Sequence, residues 1–226
     1  MKATRKLLAF STFALLTLSM TQQGFAASAP FTDLQNVAAK DKIMALQQQG
    51  ILRGVDDHRF MPDATITAAQ GIQLIVSAFR LNIDNIRFIK EPKATDYFAK
   101  ADNDAWYSNV LIIAANNGLD LPADLEPEQI WTKEQFIHQL MLAMETHYDL
   151  PMIKIAPRDF ADLEQLNPSY QGTIQRALVL GIAKLDDGQK MHPRDAITRQ
   201  EAAEIIYNAL EYVKAHPGPA ESTPAK

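Results

Sequence analysis

Apolar residues fall at helical spacing in six stretches, which pair off into three units of one design. The first helix of each unit ends on glycine. Ile43 and Leu46 stand seven and four residues before Gly50, Leu111 and Ala114 hold the same places before Gly118, and Ile174 and Ala177 before Gly181. Spacing of three and four puts these side chains on one face. A glycine just past the last apolar turn predicts a left-handed C-cap, where a side chain would clash. The second helix opens on Thr67, Thr132 or Thr198, each five residues after a proline (Pro62, Pro127, Pro193) and three before Gln70, Gln135 or Glu201. Thr-x-x-Gln/Glu predicts a capping box, the hydroxyl accepting from a backbone N–H while the Gln or Glu reaches back. Apolar residues then follow at offsets 5, 8, 9 and 12: Ile72, Ile75, Val76, Phe79; Ile137, Leu140, Met141, Met144; Ala203, Ile206, Tyr207, Leu210. The same amphipathic helix is written three times.

The loop between the two helices varies in length. Gly to Pro is twelve residues in the first and third units and nine in the second, a deletion that a surface loop tolerates. Its turn residues are Gly54-Val55-Asp56-Asp57 and Asp186-Asp187-Gly188. An aromatic residue opens each unit, Phe31, Phe98 or Phe160, and Phe-x-Asp recurs as Phe31-Thr32-Asp33 and Phe160-Ala161-Asp162. Two linkers, 82–95 and 147–158, carry Ile86, Phe88, Ile89, Met152, Ile153 and Ile155, which are expected to pack on the body. A period this long points to stacked supersecondary units, and modules of this kind more often bind than catalyse.

Composition adds a destination. The chain has 226 residues, and the first 26 read as a secretory signal peptide: Lys2, Arg5 and Lys6, an apolar stretch from Leu7 to Leu18, and Gly24-Phe25-Ala26 as the cleavage site. That stretch is too short to span a membrane, and no later segment is long and apolar enough. Cleavage leaves 19 Lys and Arg against 27 Asp and Glu, a net charge of −8. So acidic a surface argues against nucleic-acid binding, which needs phosphate neutralisation. Cysteine is absent, so the secreted protein is held by its core rather than by disulfides. The units are expected at 31–81, 96–146 and 159–213, followed by a disordered tail, 214–226, and no cargo domain.

The combination of Phe-x-Asp, a helix ending in Gly-Ile, a Gly/Asp loop with a late Pro, and Ile-Thr-x-x-Glu resembles the S-layer homology domain. The stretches that carry the resemblance are Gly50-Ile51-Leu52-Arg53-Gly54 through Pro62-Asp63, and Ile197-Thr198-Arg199-Gln200-Glu201. It runs from residue 31 to about 213. It implies an all-α fold: a pseudo-threefold helical prism with a central three-helix bundle, one helix from each repeat, and short helices in projecting lobes. It also implies non-covalent binding of cell-wall polysaccharide, often through an acidic pyruvylated sugar, by a protein secreted to the wall or surface of a bacterium. The residue after the capping Thr is the family's main ligand contact. Here it reads Arg199, Lys133 and Ala68. A guanidinium can hold a carboxylate with two hydrogen bonds, and free N–H groups at a helix start favour an anion.

Gly54 keeps the family's loop glycine, whereas Pro122 and Leu185 stand at that offset in the other units. The candidate ligand-binding residues are therefore Arg199, Lys133, Gly54 and Trp106. Plainer readings stand beside them. Arg199 and Lys133 also read as solvated cations, and Trp106 and Trp131 as packing residues. The Asp pairs read as turn formers. No metal site, cofactor or catalytic constellation is found among the sequence motifs. The alternative to wall binding is a protein-binding role for the same module, as an inhibitor, an assembly factor or a subunit of an envelope complex.

Overall fold

The computed structural model describes residues 31–151 and 158–217. The signal peptide, the hydrophobic part of the second linker (Met152, Ile153, Ile155) and the end of the tail lie outside the described residues. Among the described residues six α-helices form in three pairs. The first helices are α1 (Lys40–Gln48), α3 (Ser108–Ala115) and α5 (Gln171–Val179). The second are α2 (Ala68–Phe79), α4 (Lys133–His147) and α6 (Arg199–Ala215). Gly50, Gly118 and Gly181 take φ of 71°, 86° and 72°, the left-handed stop expected of them. All three capping boxes form, at Thr67/Gln70, Thr132/Gln135 and Thr198/Glu201. The paired residues of the first helices (Ile43, Leu46, Leu111, Ala114, Ile174, Ala177) are completely buried.

The second helices contact one another pairwise and form the central bundle. A ring of backbone hydrogen bonds closes its end. Ile66 N–H donates to the Ile197 carbonyl (3.2 Å), Ile197 N–H to Trp131 (3.0 Å), and Trp131 N–H to Ile66 (3.1 Å). These are the three residues just before the capping threonines. Short antiparallel bridges join the same segments, Thr65 to Thr198, Thr67 to Ile130 and Thr132 to Ala196. The first helices are dealt around this bundle out of register with the chain. Helix α3 packs on α2, α5 on α4, and α1 on α6. Each first helix thus lies against the central helix of the preceding unit, and α1 closes the circle on the last.

The Phe-x-Asp motif has a visible purpose. Asp33 accepts from the N–H groups of Phe60 and Met61, and Asp162 from those of Met191 and His192. The carboxylate pins the loop just where Met61 and His192 adopt φ near +57° before a proline. In the second unit Lys100 replaces the Asp, and it pairs instead with Glu126. The Asp pairs act as turn formers: Asp56 accepts from His58 and Arg59 N–H, and Asp186 from Lys190 N–H.

Two expectations fail. Ile86 and Ile89 do not pack on the body; both are exposed, Ile89 fully. The first linker forms no helix or strand there, so its peptide groups stay at the surface and carry those side chains with them. Trp106 is not a packing residue either. It is 56% exposed, edge-on to Tyr107, while Trp131 is buried.

Candidate functional site

The ring that closes the bundle also answers where the helix-start donors go. The first two N–H groups of each central helix donate to carbonyls of the next unit's loop. Arg199 and Gln200 donate to Ala64 and Pro62, Ala68 and Ala69 to Gln129 and Pro127, and Lys133 and Glu134 to Asp195 and Pro193, at 2.8–3.0 Å. The capping threonine takes the third. No N–H in that first turn is left to meet an anion. The helix-start argument for anion binding is therefore corrected: those groups fasten one unit to the next, and any anion must be met by side chains.

The same fastening creates two comparable grooves, each between one unit's loop and the start of the preceding unit's central helix, counted around the ring. The first is a cleft of about 490 Å³, lined by the Gly50–Arg53 turn, by Gln70, Gln73 and Leu74 of α2, by Arg199 of α6, and by Trp106. The second, about 230 Å³, is lined by Ile182–Asp186 and Lys190–His192, by Glu201, Glu204 and Ile205 of α6, and by Lys133 of α4. Position by position, Arg199 corresponds to Lys133, Gln70 to Glu201 and Gln73 to Glu204. At the third such junction the residue is Ala68, which is completely buried, and Gln139 Nε2 donates to the Asp120 carbonyl (2.7 Å), tying the shortened loop to α4.

Arg199 is half-buried and partly spent. Its Nε donates to the Phe60 carbonyl (2.7 Å) and its Nη2 to the Arg53 carbonyl (2.9 Å). The guanidinium lies over the Phe60 ring, 4.6 Å from the centroid. Burial pushes its pKa down, against the raising influence of Asp33. It keeps its charge, because an arginine does not lose its proton in a protein. Arg199 thus holds the loop of the first unit and still presents a cation to the cleft. Gly54 sits just behind, where a Cβ would come within 2.3 Å of the Asp56 carbonyl and 2.6 Å of that of Arg59. Its place in the site is to let this loop fold tightly.

Lys133 is placed differently. Its ammonium pairs with Glu201 at 2.7 Å, and only 17% of its side chain is exposed. Beside it Lys42 of α1 pairs with Glu204 at 2.6 Å and donates to Asn208. The structure therefore brings Arg199 and Trp106 to one cleft and Lys133 to another, while Gly54 lines neither and acts through the fold of its loop. It also adds residues that sequence reasoning missed. Arg53 is exposed on the wall of the first cleft and makes no ion pair among the described residues. Gln70 and Gln73 lie opposite. Arg53 stands inside the motif stretch, but nothing local to it shows that residue 199 is its neighbour.

Residues 30–70 and 159–203 match the family model of the S-layer homology domain. The chain carries S-layer homology sequence in these two segments. Curated relatives carry related sequence. An exoglucanase XynX of Acetivibrio thermocellus is 27% identical over 81% of this chain and 16% of its own length. An amylopullulanase of Thermoanaerobacterium thermosulfurigenes is 26% identical over 80% of this chain and 9% of its own. A surface-layer 125 kDa protein of Lysinibacillus sphaericus is 24% identical over 94% and 18%. The chain thus spans less than a fifth of the length of these relatives. S-layer homology sequence marks a secreted bacterial protein associated with the cell wall. Among the described residues no helix is long and apolar enough to cross a membrane.

Proposed function

We propose that the chain is a non-catalytic anchor that holds to the bacterial wall by binding an acidic secondary polysaccharide in the first groove. One observation carries this reading. On a chain with more acidic than basic side chains, the first groove presents two guanidiniums, an exposed indole and two glutamine amides, and no Asp or Glu lines it among the described residues. An indole face suits a sugar ring, amides suit its hydroxyls, and a planar guanidinium suits a carboxylate. A pyruvyl ketal supplies such a carboxylate. The three units, 31–81, 96–146 and 159–213, are on this reading three S-layer homology repeats. The middle one is supported by its equivalent capping box and its place in the backbone ring.

Arg199 is a poor residue for the test, because removing it also frees the loop it holds. Trp106 and Arg53 are better, since both are exposed and neither fastens the fold. The protein should sediment with wall sacculi and lose that behaviour when the secondary polymer is extracted. Trp106→Ala and Arg53→Ala should each weaken polymer-dependent sedimentation by about tenfold, a loss of roughly 1.4 kcal/mol, with an unchanged melting temperature. Equal sedimentation on extracted and unextracted walls would sink the proposal.

A further inference from the structure

The two grooves share one architecture and differ at two matched positions, where a neutral amide in the first is a carboxylate in the second; Lys184, Asp186 and Lys190 also line the second, on its loop side. In the first, the cation after the capping threonine, Arg199, shares the cleft with the neutral amide of the capping-box residue Gln70. In the second, Lys133 faces the capping-box residue Glu201, whose Oε1 takes the ammonium at 2.7 Å. The other oxygen, Oε2, serves the cap itself, accepting from the Thr198 N–H (2.9 Å) and hydroxyl (2.8 Å). The next residue along repeats the exchange: Gln73 in the first groove, Glu204 in the second, paired with Lys42. Gln and Glu serve a capping box equally well, as Gln70 and Gln135 show. The carboxylate at 201 is thus free to be selected for something other than the cap.

We infer that Glu201 is a specificity-determining residue that closes the second groove to acidic sugars by occupying Lys133, so that the chain takes a carboxylated ligand through the first groove alone. A carboxylate approaching Lys133 must displace one already seated, and it meets the repulsion of Glu201 and Glu204. In the first groove neither Arg199 nor Arg53 makes an ion pair among the described residues, although Asp33 exerts a raising influence on Arg199. The inference rests on the proposed reading of the first groove as the acidic-sugar site.

The test is a reciprocal exchange that leaves every capping box intact. The full chain, Glu201→Gln and Gln70→Glu are titrated with a pyruvylated hexoside. Calorimetry reads stoichiometry, and backbone amide shifts show which groove responds. The unaltered chain should bind one hexoside, with shifts at Leu74 and Ala202. Glu201→Gln should bind two, with new shifts at Ile137 and Ile205. Gln70→Glu should lose binding in the first groove by about tenfold or more. Two sites in the unaltered chain, or no second site in Glu201→Gln, overturns the inference. If the unaltered chain binds nothing, the reading of the first groove falls. In that case a site gained at Ile137 in Glu201→Gln still upholds the role of Glu201, and its absence refutes both.

Discussion

At the residue scale, position decides whether a side chain is structure or site. Gly71 shows the first case. A Cβ there would come within 2.7 Å of the Trp131 ring and 3.3 Å of Phe136. Alanine favours a helix over glycine by about 1 kcal/mol, but the clash with a buried indole outweighs that gain. Gly71→Ala should lower stability by about 1–3 kcal/mol in chemical denaturation. His138 is a second case. Thr173 gives its hydroxyl proton to the Tyr170 carbonyl, so its oxygen accepts from His138 Nδ1 at 2.9 Å and fixes the neutral tautomer. The ring stacks on Tyr170, 4.2 Å between centroids.

Burial holds the His138 pKa below its ordinary 6.5, against the charges of Asp120 and Glu145. At Glu201, burial pushes the carboxyl up, but Lys133 and the Thr198 donors outweigh it and hold it below its ordinary 4.5. The sign is the same for both. As pH falls, the unfolded chain takes up the proton before the folded one does, so stability drops. The His138 contribution should fade below about pH 6.5, and the Glu201 contribution below about pH 4.5. Melting temperatures between pH 8 and pH 3 should fall in two windows. Glu201→Gln should lessen the fall in the lower window only, where Asp33, Asp56, Asp96 and Asp186 are also held low, and His138→Gln the fall in the upper only.

At the element scale, the central helices are legible in the sequence because each carries its own start signal. Thr-x-x-Gln/Glu fixes where the helix begins, and the stripe at offsets 5, 8, 9 and 12 fixes which face turns inward. The stripe holds completely in α2 and α4, and loosens in α6, where Tyr207 and Leu210 are only partly buried. The partners of the first helices are not legible. Periodicity says that Ile43 and Leu46 share a face, but it cannot say what covers them. The cover is α6, some 160 residues away, and Lys42 reaches Glu204 across the same contact. A repeat unit in the sequence is therefore not a folding unit. The segment 31–81 alone would lack α6 against α1 and α3 against α2. Expressed by itself, it should show little helical circular dichroism and no cooperative melt, whereas the full chain should unfold in one transition. A cooperative melt of the fragment would contradict this account of the packing.

At the scale of the whole molecule, ring closure makes the two grooves. Each groove combines a loop from one unit with a helix start from another, and the backbone bonds at Pro62, Ala64, Pro127, Gln129, Pro193 and Asp195 set their separation. The closed order explains why one variable position, the residue after the capping threonine, gives three different outcomes. Arg199 shares a cleft with Arg53 and two glutamine amides, Lys133 meets a carboxylate, and Ala68 is sealed inside. On the proposed reading, changing a few charges alters how many grooves accept an acidic ligand without altering the fold.

The sequence by itself determined six helices in three pairs, their glycine stops and threonine starts, and the faces they bury. These are local matters, governed by backbone conformation, capping and the period of the helix. The family resemblance added Arg199, Lys133, Gly54 and Trp106 as candidate ligand contacts. Only the tertiary structure decided that the helix-start N–H groups are consumed between units, that Trp106 is exposed while Trp131 is buried, and that Arg53 stands beside Arg199 while Glu201 takes Lys133. Each of those contacts joins residues from different units. No local pattern records such a pair, because hydrogen bonds and ion pairs depend on distance in space, and that distance is set by the closing of the ring.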